Sequence, residues 1–131
     1  MAGWKVLLVD DEQEFAATLA ERLTLRGFIT VTASDGQQAL RCMEQDRPQI
    51  VILDMKMPGM SGMEVLRLIK QKCPTIPVIL LTGQDTTKDS MEGMDVGAFD
   101  YMVKPVKIEE LLQKMREALG QAGTKNTVKK G

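Results

Sequence analysis

The sequence predicts an α/β protein with a five-stranded parallel sheet and helices on both faces. Three observations carry this. Short apolar runs alternate with helical patterns, β then α, five times along the chain. The central runs QIVILD and PVILLT are apolar throughout, as strands covered on both faces must be. Four of the runs end on polar residues, namely Asp10 with Asp11, Asp54, Thr82 and Lys104. In an open parallel sheet the C-terminal strand ends are where chemistry collects.

Residues 4–10 (WKVLLVD) are the first strand. A helix is predicted from Glu12 to Arg26, with Phe15, Leu19 and Leu23 on one face and Gly27 at its C-cap. FITVTAS supplies a second strand over 28–33, whose polar alternation suits a sheet edge. Ser34-Asp35-Gly36 opens a second helix with Ala39, Leu40 and Met43 inward, and Pro48 stops it. The third strand is 49–54. MKMPGMSG is a loop with a turn at Pro58-Gly59, and Ser61 is the N-cap of a third helix reaching Lys72, with Val65, Leu66 and Ile69 inward. VILLT is the fourth strand. The segment 85–96 is the weakest helix: Met91, Met94 and Val96 form its stripe, and Gly93 interrupts it at about 1 kcal/mol against alanine. FDYMVK is the fifth strand, followed by a helix from Ile108 to Leu119 with Ile108, Leu111, Leu112, Met115 and Leu119 in one stripe. The expected domain is 1–120, and the polar, basic 121–131 has the composition of a tail or linker.

The chain has 131 residues, which leaves room for one domain. Seventeen Lys and Arg against 18 Asp and Glu give a net charge of −1, which argues against direct binding of nucleic acid or an anionic membrane by this domain. No apolar run approaches the roughly 20 residues of a membrane span, and no secretory signal pattern opens the chain, so a cytoplasmic location is expected. Cys42 and Cys73 form neither a CxxC nor a metal spacing and are expected as reduced structural thiols. Histidine is absent, which excludes Ser-His-Asp and Cys-His chemistry; any histidine in the reaction must come from a partner.

The strand-end residues define a candidate site. Two carboxylates about 4 Å apart repel by roughly 4 kcal/mol at an effective dielectric near 20. Asp10, Asp11 and Asp54 together therefore call for a small hard cation, and all-oxygen ligation suits Mg²⁺, with Mn²⁺ as a substitute. Asp54 ends the most apolar strand, where a carboxylate can act as a phosphoryl acceptor. Lys104 would neutralise charge and the Thr82 hydroxyl would donate to a phosphoryl oxygen. Taken singly, each has a plain structural reading: Asp10 and Asp11 as helix caps, Thr82-Gly83 as a turn, Lys104 as a solvated lysine.

With VLLVDDE (6–12), DGQQAL (35–40), VILDMKMPGMSGMEVL (51–66), ILLTG (79–83) and GAFDYMVKP (97–105) in view, the chain resembles the receiver domain of two-component response regulators, chemotaxis-regulator-like, over about 4–119. The resemblance implies a doubly wound, flavodoxin-like (βα)5 fold. It implies that Asp54 takes a phosphoryl group from a phosphohistidine on a sensor histidine kinase or a histidine phosphotransfer protein. Asp11, Asp54 and the Lys56 carbonyl would ligate Mg²⁺, with Asp10 acting through water. Thr82 and Lys104 would hold phosphoryl oxygens, Tyr101 would be the aromatic switch, and Lys104-Pro105 would be cis. Lys56 and Gln84 fall at the two positions that tune phosphoryl lifetime, and the small Gly83 leaves the donor room. Output would pass through the face made by the fourth helix, fifth strand and fifth helix, to an effector domain or a second copy. Such a domain catalyses only its own phosphorylation and dephosphorylation, so it is not an enzyme in the usual sense. Phe99, polar in many relatives, is expected to pack, as is most of the Met55, Met57, Met60 and Met63 cluster.

Three rival readings meet obstacles in the sequence or the site. A haloacid-dehalogenase-type phosphatase needs an Asp two residues after the nucleophile, where this chain has Lys56. An FMN carrier needs a hydroxyl- and glycine-rich loop after strand 1, where this chain has Asp10-Asp11-Glu12. A receiver-like binding module that takes no phosphate retains no support from the site residues, all of which are present.

Overall fold

The computed structural model describes residues 3–57, 59–83 and 87–124, with backbone alone at 87 and 121–124. The order is β1 (Lys5–Val9), α1 (Gln13–Leu25), β2 (Ile29–Ala33), α2 (Gly36–Asp46), β3 (Ile50–Asp54), α3 (Gly62–Lys72), β4 (Val78–Thr82), α4 (Thr87–Val96), β5 (Asp100–Val103) and α5 (Ile108–Thr124). All strand pairings are parallel, in the order β2-β1-β3-β4-β5. This is the doubly wound, flavodoxin-like arrangement, and its order reverses between β1 and β3. Expected positions of Pro58, Gln84, Asp85, Thr86 and 125–131 lie outside the described residues.

Alternation along the strands sorts the core into two layers. Val6 and Leu8, Ile50 and Ile52, and Ile79 and Leu81 face α1 and α5, where they meet Leu19, Leu23, Leu111 and Met115. Leu7 and Val9, Val51 and Leu53, and Val78 and Leu80 face the other way, onto Met43, Val65, Leu66 and Ile69 of α2 and α3. Both faces being covered explains why β1, β3 and β4 had to be apolar without alternation. The edge position of β2 agrees with its composition: its strand is exposed or half-buried until Ala33.

Two caps set helices beside the future site. Asp35 Oδ1 accepts from the Gln38 N–H at 2.8 Å at the start of α2. Ser61 accepts from the Glu64 N–H while Glu64 accepts from the Ser61 N–H, a capping box that fixes the start of α3.

Several elements differ from expectation. Met91 and Met94 do not form an inward stripe; they are 65% and 39% exposed, Val96 packs against the core, and among the described side chains of α4 the buried positions are Ser90 and Gly93. A Cβ at Gly93 would collide with Leu80 Cδ1, so this glycine lets α4 approach β4 rather than merely weakening the helix. The helix α5 runs past Leu119 to Thr124. Neither Asp10 nor Asp11 caps α1, whose N-cap is Glu12 without a side-chain bond. Phe99 packs against the α1/α5 layer, and Met55 and Met57 are buried with Met60 and Met63 packed beside them, as expected. Cys42 and Cys73 are free thiols, and burial pushes the Cys42 thiol up, helped by neighbouring Asp46.

Candidate functional site

Register brings the strand ends together at one rim. Val9 lies opposite Leu53, so Asp10 and Asp54 follow as neighbours at the point where the strand order reverses. Asp54 lies opposite Leu81, and Thr82 opposite Val103, which sets Lys104 one residue beyond β5. Asp10 continues the parity of Val6 and Leu8, Asp54 that of Ile50 and Ile52, and Lys104 that of Met102. All three side chains therefore leave the sheet on its α1/α5 side.

The contacts bear this out. Lys104 Nζ lies 3.5 Å from Asp10 Oδ2, 3.6 Å from Asp54 Oδ1 and 3.2 Å from Glu12 Oε1. It also rests 4.9 Å from the centroid of the Phe15 ring. Carboxylate oxygens of Asp10, Asp11 and Asp54 lie within 4.8 Å of one another. Asp10 and Asp54 are 1% and 3% exposed, and Asp11 is more open than either. Asp10 Oδ1 accepts from the Glu12 N–H at 2.9 Å, and Asp54 Oδ1 from the Lys56 N–H at 3.2 Å. These bonds orient both carboxylates from the backbone that follows each strand. Lys104-Pro105 is a cis peptide.

The electrostatics are unbalanced. Burial pushes the Asp54 carboxyl up to about 6; the Lys56 N–H and Lys104 oppose this, and the Asp10 carboxylate adds to it. Burial works against the charge of Lys104, but Asp54, Asp10 and Glu12 together outweigh it and hold its ammonium above the usual range. Asp10 Oδ2 is buried with no hydrogen-bond partner; its 3.5 Å approach to Lys104 is an ion pair without hydrogen-bond geometry. Three carboxylates, those of Asp10, Glu12 and Asp54, thus share the Lys104 ammonium, and the Asp11 carboxylate lies beside two of them. An orphaned buried oxygen in an all-oxygen donor set fits a hard divalent cation.

Thr82 belongs to the other side. Its parity is that of Val78 and Leu80, toward α4. Buried at 1% exposure, it donates to the Met102 carbonyl at 3.4 Å and accepts from Ser90 Oγ at 3.3 Å. Tyr101 is 38% exposed on β5. Sequence pattern does not mark Glu12 and Phe15, which hold Lys104, as site residues, although Glu12 stands in the VLLVDDE run. Ser90 was missed because no motif marks it.

Residues 6–116 match the response regulator receiver domain family. The chain belongs to that family. Relatives of this receiver domain include the uncharacterized transcriptional regulatory protein YkoG of Bacillus subtilis strain 168, 41% identical over 120 residues that cover 92% of this chain and 53% of that protein. The response regulator MprA of Mycolicibacterium vanbaalenii is 37% identical over 115 residues, 88% of this chain and 50% of that one. The receiver domain thus spans about half the length of the curated relatives it matches. Among solved structures it is similar to a response regulator receiver domain protein of Clostridium thermocellum, with 34% identity, TM-score 0.88 and coverage of 92% and 97% of the two chains. It also resembles NtrX of Brucella abortus, with 31% identity, TM-score 0.91 and coverage of 98% of this chain and 29% of that one. The fold and family place the receiver domain in two-component signalling, where it serves as a phosphorylation switch. The family is not a classical enzyme family. No helix among the described residues is long and apolar enough to cross a membrane.

Proposed function

We propose that Asp54 is the phosphoryl acceptor of this switch. The observation that carries the reading is the grouping of Asp54 with Asp10, Asp11 and Lys104 at the strand-order reversal, with Asp54 buried and oriented by the Lys56 N–H. An Asp54 oxygen attacks phosphorus, the P–N bond to a donor imidazole breaks with its electron pair going to nitrogen, and that nitrogen takes up a proton. The absence of histidine from the chain is consistent with a donor on a sensor histidine kinase or a phosphotransfer protein.

Asp11, Asp54 and the Lys56 carbonyl would hold Mg²⁺, or Mn²⁺ in its place, with Asp10 reached through water. When bound, the ion supplies positive charge beside the phosphoryl oxygens. Lys104 neutralises from the opposite side, and the Thr82 hydroxyl donates once it turns toward the rim. Catalysis is confined to the domain's own phosphorylation and dephosphorylation. The domain extends over 1–120, and its output face is α4-β5-α5, where Met91, Tyr101 and Val103 are exposed to an effector domain or a second copy. A full-length protein like its relatives would carry that effector in its other half, with action on transcription as the inferred output.

Acetyl phosphate with Mg²⁺ should add one phosphoryl group to the wild type, seen by intact mass. Asp54→Ala or excess chelator should abolish it. Equal labelling of Asp54→Ala would remove the assignment.

A further inference from the structure

Ser90 is a buried polar residue of α4, and its hydroxyl is aimed at Thr82. Three observations give that contact meaning. Strand parity puts Thr82 on the α4 side of the sheet, away from Asp10, Asp54 and Lys104. The two hydrogen bonds at its hydroxyl run to β5 and α4, to Met102 and Ser90. Gly93, one turn beyond Ser90, seats α4 directly on Leu80, so Ser90 cannot recede while the helix keeps that seat.

We propose that Ser90 is a positioning residue for Thr82, a hydroxyl latch that holds Thr82 toward α4 and must be released when Thr82 engages a phosphoryl group on Asp54. This rests on the assignment of Asp54 as acceptor. At 3.3 and 3.4 Å, both bonds exceed the roughly 2.7–2.8 Å usual for hydroxyl donors, so they are weak and readily exchanged. A charged phosphoryl oxygen is a stronger acceptor than the Met102 carbonyl. Phosphorylation would draw Thr82 away and break the Ser90–Thr82 bond, which removes one tie between α4 and β4 and so favours a shift of α4. The latch couples one hydroxyl at the site to the position of a whole helix.

The test measures the affinity of the full chain for beryllium fluoride with Mg²⁺, an acyl-phosphate mimic, alongside amide exchange over 88–96. Ser90→Ala should raise affinity for the mimic roughly two- to fivefold, the scale of one weak neutral hydrogen bond, and speed exchange in α4 before the mimic is added. Ser90→Thr, which keeps the hydroxyl, should return affinity toward wild type. Ser90→Cys, a weaker donor, should fall between, and it serves in place of Ser90→Ala if that variant does not fold. Wild-type affinity in Ser90→Ala or Ser90→Cys, with only a lower melting temperature, would overturn the latch and leave Ser90 as packing. Wild-type protein that acetyl phosphate does not label on Asp54 would overturn the acceptor assignment, and the latch with it.

Discussion

Asp54 sits in surroundings that disfavour its own charge. Its carboxyl, raised to about 6 chiefly by burial, would titrate near 3.9 in the unfolded chain. The folded state therefore binds the extra proton between about pH 4 and 6, and stability falls as pH rises through that window. Above about pH 6 the destabilisation is complete; below about pH 4 it is gone. Asp54→Asn should then stabilise the protein in chelator at pH 7.5 by roughly 1–3 kcal/mol, and by much less at pH 4.5. Urea denaturation at the two pH values checks this. An equal gain at both would show that the local strain lies elsewhere. The same imbalance makes the site receptive to a cation: Mg²⁺ should raise the melting temperature of the wild type more than that of Asp54→Asn. The strand-end residues were legible from the sequence because burial leaves no alternative at a strand tip. Asp10 and Asp54 end runs of four buried apolar residues, Val6–Val9 and Ile50–Leu53, while Lys104 ends the shorter and mixed DYMV. Their partners were less legible, since Glu12 and Phe15 reach Lys104 from α1 through the fold and not through any local pattern.

At the scale of elements, close approach decides what apolar patterns cannot show. In α4 the large apolar residues Met91 and Met94 suggest a buried face, but the fold turns both to solvent. Of the expected stripe only Val96 packs inward; the buried positions are a serine and a glycine, small enough for the helix to sit on β4. Sequence periodicity weighs hydrophobic bulk, and a face buried by proximity has none. Two glycine substitutions separate the effects. Gly93→Ala gains about 1 kcal/mol of helix propensity. It also drives a methyl into Leu80 Cδ1, a side-chain tip that is fully buried, and overpacking costs about 1–3 kcal/mol. The net expectation is a loss of about 1 kcal/mol. Gly62 meets backbone: a Cβ there would lie 2.8 Å from the Asp54 carbonyl oxygen and 2.9 Å from that of Met55. Neither can swing away, so Gly62→Ala should cost about 3 kcal/mol and slow phosphorylation by displacing the peptide that carries Asp54. Equal losses in the two variants, read by urea denaturation, would contradict this account of how α3 and α4 are seated.

For the whole molecule, stability comes from two layers on one sheet, and the site occupies the rim they share. The α1/α5 layer depends on the C-terminal helix: Leu111, Leu112, Met115, Ala118 and Leu119 are all at most 5% exposed. At Gly120 a side chain would add nothing to that layer, because a Cβ there would meet nothing within 4 Å. The backbone of α5 nonetheless continues to Thr124, which the turn-forming composition of this stretch had concealed. Truncation distinguishes the last helical turn from the buried stripe that precedes it. A chain ending at Gly120 keeps Leu111, Leu112, Met115, Ala118 and Leu119 and gives up one helical turn, worth a few tenths of a kcal/mol per residue, so it should melt within about 5 °C of the full chain. A chain ending at Leu112 loses Met115, Ala118 and Leu119. At about 2–5 kcal/mol for each large side chain, that loss approaches the whole 5–15 kcal/mol that holds a domain of this kind together. It should not fold cooperatively, and it should take no label from acetyl phosphate, because Asp10, Asp54 and Lys104 are held on the side of the sheet that α5 covers. Calorimetry and labelling on the two truncations decide the point. A folded, phosphorylatable chain ending at Leu112 would show that the rim is assembled without the α1/α5 layer being complete.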